Sequence, residues 1–397
     1  MIPLDEALAA VRARSLPLPQ EEVPLAEAAN RVLARPVLAL RDQPSTDVSM
    51  MDGYALPSAS ASSPLRVIGE VAAGDPPWPR PLTAHEAVRI FTGAPIPTGA
   101  DCVVMQEHAL REGDVLRLEL PPKPGQHIRR QGEELRASAT ALPRGTYLRA
   151  AELALCAACG QPAVFAHRRP RVAILSTGSE LVPLGDTPGP GQLTETNSLA
   201  LRALCAEAGA DTIWLGIALD DVAEIARRLR GVDADVVITT GGASVGDHDH
   251  AQESLQRLGV ELVFHTVAIR PGKPVLFGAG DGRLFFGLPG NPAAATLGFE
   301  LFVRLALRLL AGDPKPARTQ ARARLRGTIA RVPKLTYFPR GRAFIEGAQL
   351  SFSPGSQQSS MQIASWAGAN AVAVVPPGEG RLDDGTELDV LLTAPLE

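Results

Sequence analysis

The chain has 397 residues, of which 45% are hydrophobic and 21% are charged, a composition typical of a globular protein rather than a disordered one. This length exceeds what one hydrophobic core usually supports, so we expect two to four domains. With 39 basic and 43 acidic residues the formal net charge is −4, which excludes a global basic field for nucleic acid or an anionic membrane.

The sequence predicts neither a targeting segment nor a membrane span. The start, "MIPLDEALAAVRARS", lacks the apolar core of a signal peptide. The apolar stretch "GFELFVRLALRLLAG" is interrupted by Arg304 and Arg308. The four cysteines are too few for a disulfide framework. We therefore expect a cytoplasmic protein with no nucleic-acid or membrane partner.

The first part of the chain combines helical and β-type patterns. The segments "PLDEALAAVRARS" (3–15), "PLAEAANRVLARPV" (24–37) and "TYLRAAELALCAACG" (146–160) place apolar side chains at helical spacing. Between them, short β-type runs alternate with Pro and Gly. We predict a helical linker domain of residues 1–43 and 135–168, split by a β-rich insert domain of residues 44–134.

Strand–loop–helix units follow from residue 169 to residue 313. The strands "RVAIL", "TIWLGIAL", "ADVVIT" and "RLFFGL" alternate with helical segments such as "VAEIARRLRGV". This alternation is typical of a doubly wound, mostly parallel α/β sheet. Residues 314–397 carry short strands and Gly/Pro turns, which predict a small C-terminal β domain. The predicted fold class is therefore α/β multidomain, with a central α/β domain.

Polar loops follow the predicted strands of the α/β domain. Ligands of an open parallel sheet lie beyond the carboxyl ends of its strands. The loops Ser176–Glu180, Asp220–Asp221, Thr240–Asp249 and Pro289–Pro292 all fall on that edge. One such loop could be a solvated turn, but the convergence of all of them favours a binding site.

These loops offer groups that bind anions. Glycines and hydroxyl groups in "TTGGASVGDHD" (239–249) let backbone amides approach a ligand, and "GLPGNP" (287–292) begins a predicted helix, whose N-terminus favours an anion. "RPGKP" (270–274) adds two cations suited to a tetrahedral oxyanion. Since no Walker A or G-x-G-x-x-G motif is present, phosphate must be held differently. The candidate anion-binding residues are Thr240, Gly241, Gly242, Ser244, Gly246, Arg270, Lys273, Pro289 and Pro292.

Three acidic residues come from separate strand ends. Glu180, Asp220 and Asp249 would repel one another if they met without a cation, so together they predict a Mg²⁺ site. The alternative is that each carboxylate is solvated by itself, with Asp220 and Asp221 capping the next helix.

A series of motifs in order identifies a family resemblance. They are "SMMDGYAL" (49–56), "RIFTGAPIPTGADCVVMQE" (89–107), "RRQGEE" (129–134), "LSTGSELV" (175–182), "TTGGASVGDHD" (239–249), "RPGKP" (270–274) and "GLPGNP" (287–292). This combination closely resembles the molybdopterin molybdenumtransferase family, also known as MoeA and as the E domain of gephyrin, over essentially the whole chain. The resemblance implies a four-domain, elongated homodimer.

The resemblance also implies a reaction. The family takes adenylylated molybdopterin, hydrolyses the adenylate with Mg²⁺ and places molybdate on the dithiolene sulfurs, which yields molybdenum cofactor and AMP. It implies that Asp52 and Thr92 of the β-rich insert join Glu180, Asp220 and Asp249 as catalytic residues. Fixed cations and a hydroxyl donor for the molybdate oxyanion would be Arg270, Lys273, Arg340 and Ser360. Since these groups come from different domains, we expect a site at the interface of a homodimer.

Other functions stay open at this point. A molybdopterin adenylyltransferase shares the α/β domain, but normally lacks the "MDGYA" insert and the C-terminal β domain that this chain carries. Tungstate insertion is a second alternative, because the two oxyanions are nearly identical in size and charge. A scaffold role is a third. An adenylyltransferase that supplies the substrate and enzymes that use the cofactor are the expected partners.

Overall fold

The protein is described here by a computed structural model, which covers residues 1–60, 64–241 and 250–396. The chain divides into two compact units. The first unit comprises Met1–Glu21, Asn30–Ala34 and Ala166–Glu397, and the second comprises Glu22–Ala29 and Arg35–Phe165. The boundaries predicted for a linker, an insert, an α/β and a C-terminal domain stay predictions.

The helices in the described ranges are mostly short. They are α1 (Leu4–Arg14), α2 (Ala150–Ala158), α3 (Asn197–Glu207), α4 (Val222–Leu229), α5 (His250–Arg257), α6 (Pro292–Gly298) and α7 (Arg304–Leu310). A π-helical segment, Phe299–Val303, joins α6 to α7. Single 3₁₀ turns lie at Leu25–Glu27, Ser58–Ser60, Gln106–His108 and Ile363–Ser365. Within these ranges, no helix combines the length and apolarity that crossing a membrane requires.

The helix predicted over residues 24–37 is wrong. Only Leu25–Glu27 form a turn, of 3₁₀ type. Asn30 has a φ of 63°, a left-handed conformation that ends a right-handed helix. Beyond it, Leu33 pairs with Ala166 in an antiparallel bridge. Pairing with a residue far along the chain therefore overrides the local helical periodicity. The helices predicted within 3–15 and 146–160 are confirmed as α1 and α2.

The second unit is built around a six-stranded sheet. Tyr54 and Leu56 pack into one apolar cluster, whereas Ala55 packs into another, so successive side chains bury on opposite faces as in any strand. The spatial order is β4-β1-β3-β2-β6-β5, with β2 and β3 parallel. The strands are β1 (Gly53–Leu56), β2 (Leu65–Val71), β3 (Glu86–Ile90), β4 (Cys102–Met105), β5 (Ala109–Glu112) and β6 (Val115–Leu118).

An ion pair at the start of β3 makes the stability of this unit depend on pH. Glu86, whose side chain is 10% exposed, accepts hydrogen bonds from Arg80 at 2.7 and 2.8 Å and from the backbone N–H of Thr83 at 3.0 Å. The Arg80 guanidinium is the main cause that lowers the Glu86 pKa from 4.5 to about 2. A carboxyl whose pKa is depressed by folding stabilises the fold above its unfolded pKa, and this stabilisation disappears as the pH falls.

We therefore expect Arg80→Met to lower the melting temperature at pH 7, and to do so progressively less as the pH falls from about 4.5 to about 2. Thermal unfolding followed by circular dichroism at a series of pH values checks this. Arg111→Met is the control, because Arg111 pairs with Asp114 only at 3.9 Å on the exposed surface. A melting difference for Arg80→Met that persists undiminished at pH 2 would contradict the assignment.

The first unit contains the α/β sheet. Its spatial order is β8-β7-β9-β12-β11-β10, in which β8, β7, β9 and β12 are parallel and β11 pairs antiparallel with both β12 and β10. Val236 and Ile238 face one core cluster, together with Leu201 of α3, whereas Val237 faces the other, together with Ile225 of α4. Helices thus cover both faces, which is why the parallel strands are almost wholly apolar. The strands are β7 (Arg171–Thr177), β8 (Asp211–Ala218), β9 (Val236–Thr240), β10 (Glu261–Phe264), β11 (Leu276–Gly280) and β12 (Arg283–Leu288).

A closed five-stranded barrel completes the first unit, so the predicted C-terminal β domain is confirmed. Phe352, Leu325 and Val390 are buried at its centre. Its order is β13-β15-β14-β16-β17, for β13 (Gln320–Leu325), β14 (Arg340–Glu346), β15 (Gln349–Pro354), β16 (Ala371–Val374) and β17 (Glu387–Leu392).

The remaining short strands, which come from both units, are Gln20–Pro24, Val37–Leu38, Val48–Ser49, Ile128–Arg129, Thr140–Leu142, Ala163–His167, Leu181–Val182, Leu193–Thr194, Ile269–Arg270, Ile329–Ala330, Thr336–Tyr337 and Arg381–Leu382.

Candidate active site

A cleft opens where the strand order of the α/β sheet reverses. From β7 the chain first adds β8 on one side, and later β9 on the other. Loops that leave adjacent strands in opposite directions create a crevice outside the carboxyl ends of those strands. Thr177 ends β7 and Thr240 ends β9, and both line a cleft of about 600 Å³. This volume is in the range of small-molecule sites.

The cleft collects most of the polar loops that the sequence analysis placed on this edge. Of the predicted site residues, Glu180, Asp220, Thr240, Gly241, Pro289 and Pro292 line it. Four further lining residues lie within the predicted loops without having been singled out: Thr177, Gly178, Gly290 and Asn291. The remaining lining residues were not predicted as site residues, and they are Leu181, Leu193, Thr194, Glu195, Thr196, Asn197, Pro274, Met361 and Ile363. Gly242, Ser244, Gly246 and Asp249, which were also predicted, lie outside the described residues.

The turn after β9 requires a glycine. Gly241 has a φ of 89°, and a Cβ atom there would lie 2.1 Å from the backbone oxygen of Thr177. The N–H of Gly241 donates to the backbone oxygen of Leu288 at 3.2 Å, and the hydroxyl of Thr177 donates to that of Thr240 at 3.2 Å. These contacts hold the ends of β7, β9 and β12 together at the floor of the cleft.

Two of the three predicted magnesium ligands are in the cleft. The side chains of Glu180 and Asp220 are exposed to it. Asp220 is held by Ser179, because its Oδ2 accepts the N–H of Ser179 at 3.1 Å. Across residues 1–60, 64–241 and 250–396, no group of three acidic, histidine or cysteine side chains is arranged for a metal, and Asp249 is not among these residues. Carboxylate oxygens open to the cleft nevertheless suit Mg²⁺, which prefers oxygen ligands.

A buried carboxylate, Glu195, organises the wall of the cleft beside α3. It is 6% exposed and accepts hydrogen bonds from the Ser176 hydroxyl at 2.9 Å, the Ser198 N–H at 2.8 Å and the Ser198 hydroxyl at 2.5 Å. Asn197 then donates from Nδ2 to the backbone oxygen of Gly290 at 2.9 Å. The start of α3 is thereby fixed against both β7 and the "GLPGNP" loop. Glu195, the acidic residue just before the predicted helix in "TETN" (194–197), is the signal from which this arrangement could have been predicted.

A segment of the C-terminal barrel domain reaches the same cleft. Ser360 accepts the Nδ2–H of Asn291 on its hydroxyl at 3.2 Å, and the N–H of Ala293 on its backbone oxygen at 3.1 Å. The next residues, Met361 and Ile363, are 69% and 40% exposed and line the cleft. The cleft therefore has one wall from the α/β sheet and another from the barrel domain.

An unusual guanidinium lies directly behind this segment. Arg340, the first residue of β14, is 1% exposed. Its Nη2 donates to the backbone oxygen of Ser359 at 3.3 Å, but its Nε and Nη1 are buried and have no hydrogen-bond partner in the described part of the chain. Burial lowers the pKa of Arg340, and neighbouring Tyr337 partly opposes this shift. Buried charged groups are normally paired, so this one favours an anionic ligand.

The other two predicted cations are exposed. The guanidinium carbon of Arg270 lies 5.5 Å from the centre of the Tyr337 ring, and both Arg270 and Arg340 act on the phenol of Tyr337, whose pKa is raised by burial. Arg270 and Arg340 therefore flank the same tyrosine. Lys273 precedes Pro274, which lines the cleft.

Asp52 and Thr92 belong to the second unit and form a pair there. Oδ1 of Asp52 accepts both the N–H and the hydroxyl of Thr92, each at 2.8 Å. These two hydrogen bonds lower the pKa of Asp52, because they stabilise the charged form. No contact of Oδ2 is recorded within the described ranges. The pair that the sequence predicted is therefore present, with one carboxylate oxygen available for a ligand.

Comparisons with known proteins cover the whole chain. Residues 2–160 match the MoeA N-terminal region (domain I and II), residues 173–309 a probable molybdopterin binding domain, and residues 322–393 the MoeA C-terminal region (domain IV). A molybdopterin molybdenumtransferase of Nostoc sp. is 37% identical over 94% of this chain and 88% of its own length, and one of Haemophilus influenzae is 35% identical over 98% of each. A crystal structure of the molybdopterin biosynthesis moeA protein from Pyrococcus horikoshii OT3 superposes with a TM-score of 0.84 and 30% identity, covering 99% of this chain and 100% of that one.

Proposed function

Because the chain belongs to the molybdopterin molybdenumtransferase (MoeA) family, we propose that it transfers molybdenum to molybdopterin. In this proposal it takes adenylylated molybdopterin, inserts molybdate at the dithiolene sulfurs and releases AMP. The observation that carries the proposal is the cleft at the switch point of the α/β sheet, in the segment that matches a probable molybdopterin binding domain.

We assign the parts of the substrate by charge and polarity. The start of α6, whose first residue is Pro292 and which lines the cleft beside Gly241, suits the phosphate end, because the positive end of a helix dipole attracts anions. The apolar side chains of Leu193 and Met361 suit a flat ring. The buried guanidinium of Arg340 suits molybdate, a dianion, and Arg270 and Lys273 would add positive charge. Fixed cations of this kind stabilise charge that accumulates in the transition state.

The carboxylates complete the chemistry. Those of Glu180 and Asp220, with Asp249, would hold Mg²⁺, whose contribution is to neutralise the charge of the phosphoanhydride. Asp52 keeps its free oxygen ionised at neutral pH, so it can accept a proton or orient the attacking oxygen. The Thr92 hydroxyl and N–H hold that carboxylate in one orientation.

The proposal extends to assembly and location. The groups assigned to the reaction come from separate parts of the chain, which supports a homodimer with its site at the subunit interface. Sedimentation equilibrium at assay concentrations should then give the mass of two chains, and a fully active monomer would contradict the dimer. We also propose a cytoplasmic location, with an adenylyltransferase as supplier of the substrate. The four cysteines are buried free thiols, which supports a reducing compartment.

The test is release of AMP from adenylylated molybdopterin in the presence of Mg²⁺, with and without molybdate. We expect molybdate-dependent AMP release by the wild type. Asp220→Asn should raise the Mg²⁺ concentration for half-maximal rate by about tenfold or more. Its matched control is Asp221→Asn, because the neighbouring Asp221 caps α4 through the N–H of Glu224 at 2.6 Å and does not line the cleft.

Two results would contradict the proposal. Release of pyrophosphate from ATP and molybdopterin, without molybdate-dependent AMP release, would instead indicate an adenylyltransferase. If Asp220→Asn and Asp221→Asn changed the Mg²⁺ concentration for half-maximal rate equally, the cleft would not be the site of the reaction.

A further inference from the structure

Arg89, on β3 in the second unit, lies beside the Asp52–Thr92 pair without touching it. Its Nη1 donates to the backbone oxygen of Gly53 at 3.1 Å, and its Nη2 donates to Oε1 of Gln106. The guanidinium also lies over two rings, 5.3 Å from the centre of Tyr54 and 4.9 Å from that of Phe91. Three of these four contacts, those with Gly53, Phe91 and Gln106, are with a residue that is next in sequence, or hydrogen-bonded, to Asp52 or Thr92.

The contacts of Arg89 converge on the backbone that carries the pair. Gly53 follows Asp52 directly, and Phe91 precedes Thr92. Gln106 is linked as well, because its N–H donates to the backbone oxygen of Asp52 at 3.1 Å. The pairing of β1 with β3 explains why the Arg89 side chain lies over the Tyr54 ring. Tyr54 is the cross-strand partner of Arg89, and directly opposed side chains lie on the same face of a sheet. One side chain therefore holds the segments on both sides of the pair.

The charge of Arg89 is not cancelled by an ion pair. In the described ranges, its contacts are carbonyl and amide oxygens and aromatic rings, and no carboxylate lies within 4.0 Å of the guanidinium. The nearby carboxylate that feels its charge is that of Asp52. Neutral acceptors and stacking rings fix the orientation of a planar guanidinium while leaving its positive charge to act on its surroundings.

Gly53 adds a steric reason for this arrangement. A Cβ atom at residue 53 would lie 1.9 Å from the backbone oxygen of Val104, so β1 and β4 approach closely beside Asp52. The backbone of β1 therefore has no room to move towards β4 at this point. The orientation of Asp52 and Thr92 then depends on Arg89, which lies on β3 and donates hydrogen bonds to Gly53 of β1 and to Gln106.

We propose that Arg89 is the positioning residue that holds Asp52 and Thr92 in their working geometry, an inference that rests on the function proposed above. Arg89 does not bind the substrate. It fixes the backbone on either side of the pair, and its positive charge lies close enough to act on the Asp52 carboxylate.

The experiment compares Arg89→Met, Arg89→Lys and the control Arg66→Met in the full-length protein. Arg66 lies on the adjacent strand β2, its side chain is 69% exposed, and it approaches Glu86 only at 3.7 Å. Two measurements are made. The first is kcat and KM for molybdate-dependent AMP release across a range of pH. The second is hydrogen exchange of the Thr92 amide, which donates to Asp52 and needs no substrate.

In Arg89→Met we expect kcat to fall between about 10- and 100-fold with KM nearly unchanged, because a misplaced catalytic group affects the reaction step rather than binding. The acidic limb of the pH profile should move to higher pH. Exchange of the Thr92 amide should be at least about tenfold faster. Arg89→Lys keeps the positive charge but loses the planar guanidinium group with its two donor nitrogens. Its pH profile should therefore match that of the wild type, whereas its kcat should lie between those of Arg89→Met and the wild type. Arg66→Met should match the wild type.

Unchanged exchange of the Thr92 amide in both Arg89 variants would overturn the inference, whatever the rates. A rise in KM with kcat intact would also overturn it, since Arg89 would then bind substrate. If Arg89→Met fails to fold, Arg89→Lys decides by the same measurements. If the wild type releases no AMP, the proposed function fails, and the exchange data alone decide whether Arg89 positions the pair.

Discussion

We expect Arg340→Met to abolish most molybdate-dependent AMP release while leaving the protein at least as stable as the wild type. The guanidinium is 1% exposed and two of its nitrogens have no partner in the described residues, so it opposes folding in the absence of an anion. Methionine fills a similar volume without this desolvation. Loss of one fixed charge at the reacting oxyanion typically lowers kcat by about 10²–10³.

Two measurements separate these effects. Urea unfolding should give a free energy of unfolding equal to the wild type or about 1 kcal/mol higher. Added molybdate should raise the melting temperature of the wild type and not that of Arg340→Met, because only a ligand that binds the native state stabilises it. The control is Arg322→Met on β13, whose side chain is 60% exposed and pairs with Asp389 at 3.3 Å. A variant at position 340 that is strongly destabilised, or that keeps its molybdate response, would disprove the assignment of an anion site.

Asp52→Asn is expected to lower kcat by about 10²–10⁴. Asparagine keeps the size and the Oδ1 acceptor of aspartate, so the hydrogen bonds from Thr92 can persist while the charge is lost. Because Thr92 lowers the pKa of Asp52 below its ordinary value, the carboxylate is ionised throughout the neutral range, and the wild type should show no acidic limb from this group in that range. Thr92→Val removes one of the hydrogen bonds and should move that limb upward.

The chain provides a closely matched control for Asp52. Asp101, in the same unit, also accepts an N–H and a hydroxyl from one residue, Ser58, at 2.6 and 2.7 Å. Asp101→Asn therefore makes the same chemical change in a similar hydrogen-bonded setting, at a residue that is not a predicted site residue. Rates for AMP release by both variants, measured across pH 5–9, check the prediction. Equal losses in the two variants would indicate a structural effect rather than a role in the reaction.

Local patterns in the sequence were sufficient for the α/β core. Strands such as β7 and β9 bury both faces and read as short apolar runs, while α3 and α4 show helical spacing between them. The loops at their carboxyl ends follow from the topology of a parallel sheet. This is why Glu180, Asp220, Thr240 and Gly241 could be predicted to line one cleft.

Contacts between residues far apart in sequence set the limits of that prediction. The false helix over 24–37 failed because Leu33 pairs with Ala166. Met361 and Ile363 carried no local signal, although the family resemblance had singled out their neighbour Ser360. Their place in the cleft depends on contact with the "GLPGNP" loop, which lies about 70 residues earlier in the chain. Arg89 read as an ordinary strand residue, because its role depends on rings and carbonyl groups contributed by other strands.

The wall that the barrel domain contributes to the cleft bears on how this chain can be altered or recombined. A fragment ending after α7 could keep the whole α/β sheet and its turns, yet it would lack Met361, Ile363 and the Ser360–Asn291 bond. The α/β sheet alone therefore does not supply the whole cleft. If barrel domains were exchanged between relatives, ligand preference should therefore follow the barrel domain. Only exchanged domains that keep the Ser360–Asn291 hydrogen bond should still form a cleft that binds the ligand.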